Sequence, residues 1–290
     1  MRWAGWCRAA LAAGLVAMLA GLPACGGNAE PGQGSAKPAA SGVRAAGPGT
    51  PLRVPADRCG TPAAEATPMW FRAGDGTWLD GAVAGTGPVG AVLIHEYPGP
   101  MCGWWPYAAY LARHGVRALL FDLRCFGDSA CPTGAKGTDP VSDVRGAVDA
   151  LRRRGARRVV LVGASLGGTI AVVAGARLHP RPAAVVDLSG EADLSGFLSS
   201  SSDLDAVAAA RQLAVPSLFV VSRDDRYTSL ADMRRVYRRT AATNKRLIVE
   251  PAAFGHGWLI VDRPEPARTV LAFIRAARSL RRHHEMLRAR

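Results

Sequence analysis

The chain has 290 residues, 49% hydrophobic and 20% charged. That balance excludes a disordered chain, and with no apolar run of ~18 residues it excludes a multi-pass membrane protein. Lys and Arg number 36 against 23 Asp and Glu, a net charge of +13 carried almost wholly by arginine, since the lysines are Lys37, Lys136 and Lys245. Such an excess invites a nucleic-acid reading, which has to be weighed against where the charges sit.

Residues 1–24 read as an export signal. Arg2 and Arg8 form a positive start, and 9–22 form an apolar core too short to span a bilayer comfortably. The stretch ends Leu22-Pro23-Ala24-Cys25. This resembles a bacterial lipobox, although Pro23 departs from the usual small residue. The resemblance implies that Cys25 becomes the lipid-bearing N-terminus of a protein held on the extracytoplasmic face of a membrane. A plain signal peptide is the competing reading. Residues 25–56 are rich in Gly, Pro, Ala and Ser and show no hydrophobic periodicity, so they read as a flexible tether.

From residue 57 onward strands and helices alternate. Residues 70–72 and 79–84, split by Gly74-Asp75-Gly76, read as an antiparallel hairpin. Strands follow at 90–94 and 116–122 around a helix at 107–113. A helix is expected at 141–153, with Val144, Val148 and Leu151 on one face. A strand at 159–162 leads into a small-residue helix at 168–178. Strands at 183–186 and 218–221 flank a stretch with room for one short helix and a loop. A helix at 230–239, a strand at 246–249 and a last helix at 266–282 complete the pattern. Nearly all-apolar strands separated by helices predict a mostly parallel sheet covered on both faces. Residues 57–282 suffice for one such domain, and 283–290 form a basic tail.

Export changes the cysteine arithmetic. Cys7 lies in the signal and Cys25 is assigned to lipid, which leaves Cys59, Cys102, Cys125 and Cys131. An even number in an oxidising compartment suggests two disulfides. The pairing Cys125–Cys131 with Cys59–Cys102 is one of three that four cysteines allow. No Cys-x-x-Cys pair occurs and the histidines are scattered, so no metal site is expected.

Gly163-Ala164-Ser165-Leu166-Gly167 is a Gly-x-Ser-x-Gly motif between a predicted strand and a predicted helix. A serine on so tight a turn is held strained with its hydroxyl exposed. Glycine is required on either side because a Cβ would collide with neighbouring backbone. With this motif in place, the chain resembles the α/β-hydrolase superfamily over most of residues 70–275. The resemblance implies an α/β-hydrolase fold without a large lid and a triad in the order Ser, acid, His. The acid follows a late strand. Here Ser222-Arg223-Asp224-Asp225-Arg226 makes Asp225 the matching position, with Asp224 the fallback and Asp187 a weaker candidate. Phe254-Gly255-His256-Gly257-Trp258 resembles the family's histidine loop.

The roles follow from proton chemistry. Ser165 would attack an acyl carbon, His256 would take and return its proton, and Asp225 would hold the imidazole. The oxyanion would lie on the N–H of Leu166 and on that of Tyr97, in His95-Glu96-Tyr97-Pro98-Gly99, where Glu96 replaces a glycine of the family pattern. Asp122-Leu123-Arg124-Cys125-Phe126-Gly127-Asp128-Ser129 resembles a further family stretch and implies a structural ion pair of Asp122 and Arg124, with Cys125 in place of glycine. Trp104, Trp105, Tyr107 and Trp258 either line an apolar pocket or pack in the core.

The charges can now be placed. Loss of Arg2 and Arg8 leaves 34 basic and 23 acidic residues, or +11. Arg152 to Arg154 and Arg234, Arg235, Arg238 and Arg239 fall on helix faces, which points to solvated surface and away from nucleic acid. The expected function is a membrane-anchored serine hydrolase acting on a small carboxylic ester, with no cofactor. A peptidase, a thioesterase or an acyltransferase would use the same residues. The rival of another class is a non-catalytic surface-binding protein on a hydrolase scaffold.

Overall fold

The computed structural model describes Cys59 and residues 66–133, 139–199 and 202–277. The expected signal, the lipidated Cys25, the tether and the basic tail lie outside the described residues.

Eight strands form one sheet: β1 (Ala66–Arg72), β2 (Trp78–Ala84), β3 (Val89–Ile94), β4 (Val116–Phe121), β5 (Arg158–Ala164), β6 (Ala184–Leu188), β7 (Ser217–Ser222) and β8 (Lys245–Glu250). Their spatial order is β1-β2-β4-β3-β5-β6-β7-β8. Strand β2 runs antiparallel to β1 and β4, and every other pairing is parallel. The helices are α1 (Trp105–Arg113), α2 (Pro140–Arg153), α3 (Leu166–Arg177), α4 (Ala206–Ala210), α5 (Leu230–Arg239) and α6 (Pro264–Ala276). The expected elements are present among the described residues, with ends moved by a few residues; the expected end of the last helix, at 278–282, lies outside them. Short 3-10 turns at Met101–Trp104, Ala252–Phe254 and Gly257–Asp262 were not anticipated.

Successive side chains of a strand face opposite sides of a sheet, so each central strand feeds two core layers. Val92, Ile94, Leu161 and Phe219 pack on the side of α2, α3 and α5, with Val144, Ile170 and Met233. Ala91, Leu93, Val162 and Val220 pack on the other side with Leu111 of α1 and Val270 and Ile274 of α6. Each fully buried Val, Leu or Ile contributes about 1.5–3 kcal/mol, and β3 is buried at every position.

Helix starts are chemically marked. Asp139 caps α2 by accepting from Ser142 N at 3.1 Å, with Pro140 in the first turn. Ser229 caps α5 by accepting from Asp232 N at 3.0 Å. Helix α3 is buried from Leu166 to Ala176, as a helix beneath the middle of a sheet must be.

Both disulfides take the expected pairing. Cys59 joins Cys102 and Cys125 joins Cys131. Cys125 has φ 67°, a left-handed conformation that suits the glycine it replaces. The expected Asp122–Arg124 pair is not formed. Arg124 instead meets Asp143 at 2.7 Å and Asp75 at 3.0 Å, while Asp122 Oδ1 accepts from Met101 N at 2.8 Å. Asp143, on α2, offers both oxygens to the Arg124 side chain and backbone. A bidentate partner on a facing helix wins over a neighbour two residues away.

The arginines of α2 and α5 are mostly exposed. No helix among the described residues is long and apolar enough to cross a membrane.

Candidate active site

Ser165 lies between the end of β5 and the first residue of α3, with φ 49° and ψ −119°. That positive φ is costly for a residue with a Cβ. Here it is enforced from both sides: Ser165 N donates to Leu188 O at 2.9 Å, and Ser165 O accepts from Gly168 N and Thr169 N at 2.7 and 3.1 Å. The flanking glycines are sterically required. A Cβ on Gly163 would overlap the Gly167 carbonyl, and one on Gly167 would overlap the Ile94 carbonyl. Leu166 is the first helical residue, so its N–H has no carbonyl within the helix to bond.

Asp225 sits in the turn after β7. Its Oδ1 accepts from Tyr227 N at 2.9 Å and Thr228 N at 3.0 Å. His256 lies between two 3-10 turns ahead of α6, and Ser222 Oγ donates to Gly255 O at 2.5 Å, tying the histidine loop to the end of β7. His256 Nδ1 meets Asp225 Oδ1 at 2.8 Å and Oδ2 at 2.9 Å. The Asp225 side chain is wholly buried there, whereas Asp224 is exposed. Asp187 is buried at the end of β6, where it accepts from Gly190 N at 2.7 Å and makes no hydrogen bond to His256.

Burial alone would raise the Asp225 carboxyl, but His256, the Thr228 and Tyr227 N–H groups and the Ser189 hydroxyl outweigh it and hold it below the usual range. Burial alone would lower His256. The hydrogen bond and charge of Asp225, with the charges of Glu96 and Glu191, outweigh that and raise it.

His95 and His114 have other work. His95 Nδ1 faces Glu96 O at 2.9 Å, and its Nε2 accepts from Leu123 N at 3.1 Å, which defines a neutral tautomer bracing the β3 and β4 exits. His114 Nδ1 lies 2.8 Å from Tyr110 O at the end of α1.

Tyr97, at the exit of β3, precedes Pro98 across a cis bond. Its ring packs edge-on against Phe126 at 6.2 Å and Phe197 at 5.1 Å. Trp104, Trp105 and Tyr107 are core residues. Only Trp258 of that aromatic set is partly open, packed edge-on against Trp104 at 6.1 Å. The apolar rim comes from residues the sequence did not single out. Tyr227, 73% exposed, lies 4.8 Å from the His256 ring, and Phe197 and Leu259 are also exposed.

Two carboxyl groups join the site: Glu96, already placed in the loop after β3, and Glu191, which the sequence did not single out. Glu96 Oε2 accepts from Trp258 N at 3.3 Å, bridging the β3 exit to the histidine loop, and burial pushes it up to about 7. Ser165 Oγ donates to Glu191 Oε1 at 3.2 Å. No hydrogen bond joins Ser165 to His256 among the described residues. Glu191 follows Leu188-Ser189-Gly190 at the C-terminal end of β6, the strand beside β5. Its signal was a charged residue at such a strand end, where α/β sheets bind ligands. No cluster of three or more metal-ligating side chains occurs among the described residues.

A parallel sheet with a strained serine between β5 and a buried helix, and an Asp–His pair beyond later strands, defines an α/β fold with hydrolase-like strand ends. The chain matches the model of the alpha/beta hydrolase family over residues 91–288 and belongs to that family. Epoxide hydrolase 3 of Siraitia grosvenorii is 40% identical over 93 residues, a match covering 31% of this chain and 28% of that protein's length. Among solved structures, an esterase of Pyrococcus furiosus superposes with a TM-score of 0.65 at 17% identity, covering 78% of this chain and 95% of that one. A putative aryl esterase from Burkholderia cenocepacia gives 0.62 at 19% identity, covering 73% and 100%.

Proposed function

We propose that this protein is a serine hydrolase that cleaves small carboxylic esters through an acyl-enzyme intermediate. The observation that carries the reading is the Asp225–His256 pair at 2.8 Å beside a serine held at φ 49° between two required glycines. In the reaction, the Ser165 oxygen bonds to the acyl carbon while its proton passes to His256. The carbonyl electron pair moves onto oxygen, which the Leu166 and Tyr97 N–H groups receive. Collapse expels the alcohol, which leaves with the His256 proton. Water then repeats the sequence, delivering a proton to His256 and releasing the acid. Asp225 fixes the tautomer in which Nδ1–H points at carboxylate and the other ring nitrogen is free to act as base.

The segment between β6 and β7 supports a small substrate. Among its described residues the one helix, α4, has five residues, and the rim of Tyr227, Phe197 and Leu259 stands open. The same reading carries the N-terminal proposal: Cys25 bears lipid and tethers the domain to the outer side of a membrane.

A fluorophosphonate probe tests the enzyme reading. The wild-type protein is expected to be labelled, and Ser165→Ala to abolish labelling. An unreactive wild type overturns the reading and favours a binding protein on the same scaffold. A panel of esters, amides and thioesters then ranks acyl chemistry, with esters turned over fastest. Intact-mass analysis of the membrane fraction is expected to show a diacylglyceryl-sized addition on Cys25; an unmodified Cys25 rejects the anchor.

A further inference from the structure

The Ser165 hydroxyl has one proton to donate, and in this structure it goes to Glu191 Oε1 at 3.2 Å. We propose that Glu191 is a positioning residue for the nucleophile, holding the Ser165 proton in the resting enzyme in competition with His256, so that acylation requires the Ser165–Glu191 bond to be given up. The inference rests on the reading of Ser165 as nucleophile and His256 as base.

Glu191 is fixed where it stands. Its carbonyl accepts from Thr169 Oγ1 at 2.9 Å, which ties it to the helix that Ser165 begins. Gly190 N donates to Asp187 Oδ1 at 2.7 Å, and Ser189 O accepts from Thr228 Oγ1 at 2.7 Å, so the loop is held to β6 and to the Asp225 turn as well. The Glu191 side chain has little competing attachment. Its Oε2 is buried and has no hydrogen-bond partner, and Ser165 is the donor that Oε1 receives. With only its own backbone N–H beside it, the carboxylate holds on to the one side-chain hydroxyl within reach.

The charged groups facing this carboxyl come from every neighbouring element: His256 from the loop before α6, Asp225 from the β7 exit and Asp187 from β6. Glu96 faces it from the β3 exit. Burial raises the Glu191 carboxyl, and its own backbone N–H, His256 and the Ser165 hydroxyl oppose that rise. The Glu191 charge in turn favours the protonated imidazole. Glu191 therefore has two effects of one sign. It occupies the proton that His256 must take, and it keeps His256 in the form that cannot take it. Acylation proceeds when the hydroxyl turns to a neutral His256, the Ser165 oxygen bonds to the acyl carbon, and the proton crosses to the ring.

The test uses the full-length protein with Glu191→Gln and Glu191→Ala, following kcat/KM for p-nitrophenyl acetate against pH and the rate of fluorophosphonate labelling. Gln keeps the volume and a weaker, neutral acceptor, and is expected to raise the high-pH plateau about threefold. Ala removes the acceptor and is expected to raise it roughly tenfold, the factor attached to one charge-assisted hydrogen bond. Both are expected to move the rising limb to lower pH, because a negative charge near His256 is gone; a merely structural role would move neither quantity in these directions. If Ala fails to fold, the Gln variant decides. A labelled wild type whose Gln variant shows no rise in plateau overturns the inference alone. An unlabelled wild type overturns the hydrolase reading, and this inference with it.

Discussion

The imidazole of His256 faces both carboxylate oxygens of Asp225, 2.8 Å from Oδ1 and 2.9 Å from Oδ2, across 31 residues of chain. The carboxylate is fully buried and also receives two backbone N–H groups from its own turn. A buried charge so thoroughly satisfied is held rigidly.

Asp225→Asn is therefore expected to lower kcat by about 10³–10⁴-fold by turning the imidazole to the wrong tautomer. Asp224→Asn, at an exposed carboxylate, is expected to change kcat by less than about twofold. Steady-state kinetics on the two variants, with circular dichroism to show that both fold, checks the pair.

The pH dependence has a definite sign. His256 acts as base only when neutral, and its neighbours raise it. The rising limb of kcat/KM is expected to lie above the ordinary histidine value of about 6.5. Asp225→Asn, which removes the carboxylate charge hydrogen-bonded to the ring, is expected to move the limb down. The same linkage acts on stability. A raised histidine contributes below its unfolded pKa and loses that contribution as pH rises through the folded value. The lowered Asp225 contributes above about 3.9 and loses it as pH falls. Thermal melting of wild type and Asp225→Asn between pH 2 and 5 is expected to show the wild type losing the greater increment.

Gly167→Ala drives a methyl into the Ile94 carbonyl. The expected cost is about 1–3 kcal/mol, with probe labelling slowed because β3 and the serine turn must separate. Gly196→Ala is the control: φ is 79°, but among the described residues an added Cβ would meet no atom within 4 Å beyond its chain neighbours. It is expected to cost about 1 kcal/mol from backbone strain and to leave labelling unchanged.

Arg124→Ala leaves Asp143 buried and without its partner. Breaking such a pair costs about 3–5 kcal/mol, which corresponds to a fall in Tm of roughly 10 °C. The exposed pair Arg177–Asp203, at 2.5 Å and 40% and 66% exposed, is expected to contribute under about 1 kcal/mol. Calorimetry on the two arginine-to-alanine variants separates the cases.

The disulfides differ in the loops they close. Cys59–Cys102 spans 43 residues and Cys125–Cys131 spans 6. Constraint of the unfolded chain predicts about 4 kcal/mol for the first and about 2 for the second. Denaturant melts of the Cys59→Ser/Cys102→Ser and Cys125→Ser/Cys131→Ser variants are expected to keep that order.

Much of this was legible in the residues themselves. Strand identity was readable because β3, β5 and β7 are continuous apolar runs bounded by polar or glycine residues, and burial on both faces imposes that composition. The serine turn was readable because its steric demands fall on sequence neighbours, so Gly163 and Gly167 mark it locally. Asp225 and His256 were expected from the family resemblance, which places an acid after a late strand and a histidine before the last helix, and the structure brings those two side chains to 2.8 Å. Other features left no local mark. Arg124 had an acid two residues away in Asp122, yet its partners are Asp143 and Asp75, set by the approach of α2 and of the β1–β2 turn. Trp104, Trp105 and Tyr107 read equally well as pocket or core, and the packing of α1 and α6 on the sheet decided for core. Glu191 reaches Ser165 because β6 lies beside β5, and Glu96 reaches Trp258 because the β3 exit faces the histidine loop. By itself the sequence determined the order of strands and helices and the strained turn between β5 and α3, since local sterics and burial periodicity act within a few residues. Which carboxylate meets which partner depends on contacts between residues 19 to 162 positions apart, and the packing of the sheet alone decided those.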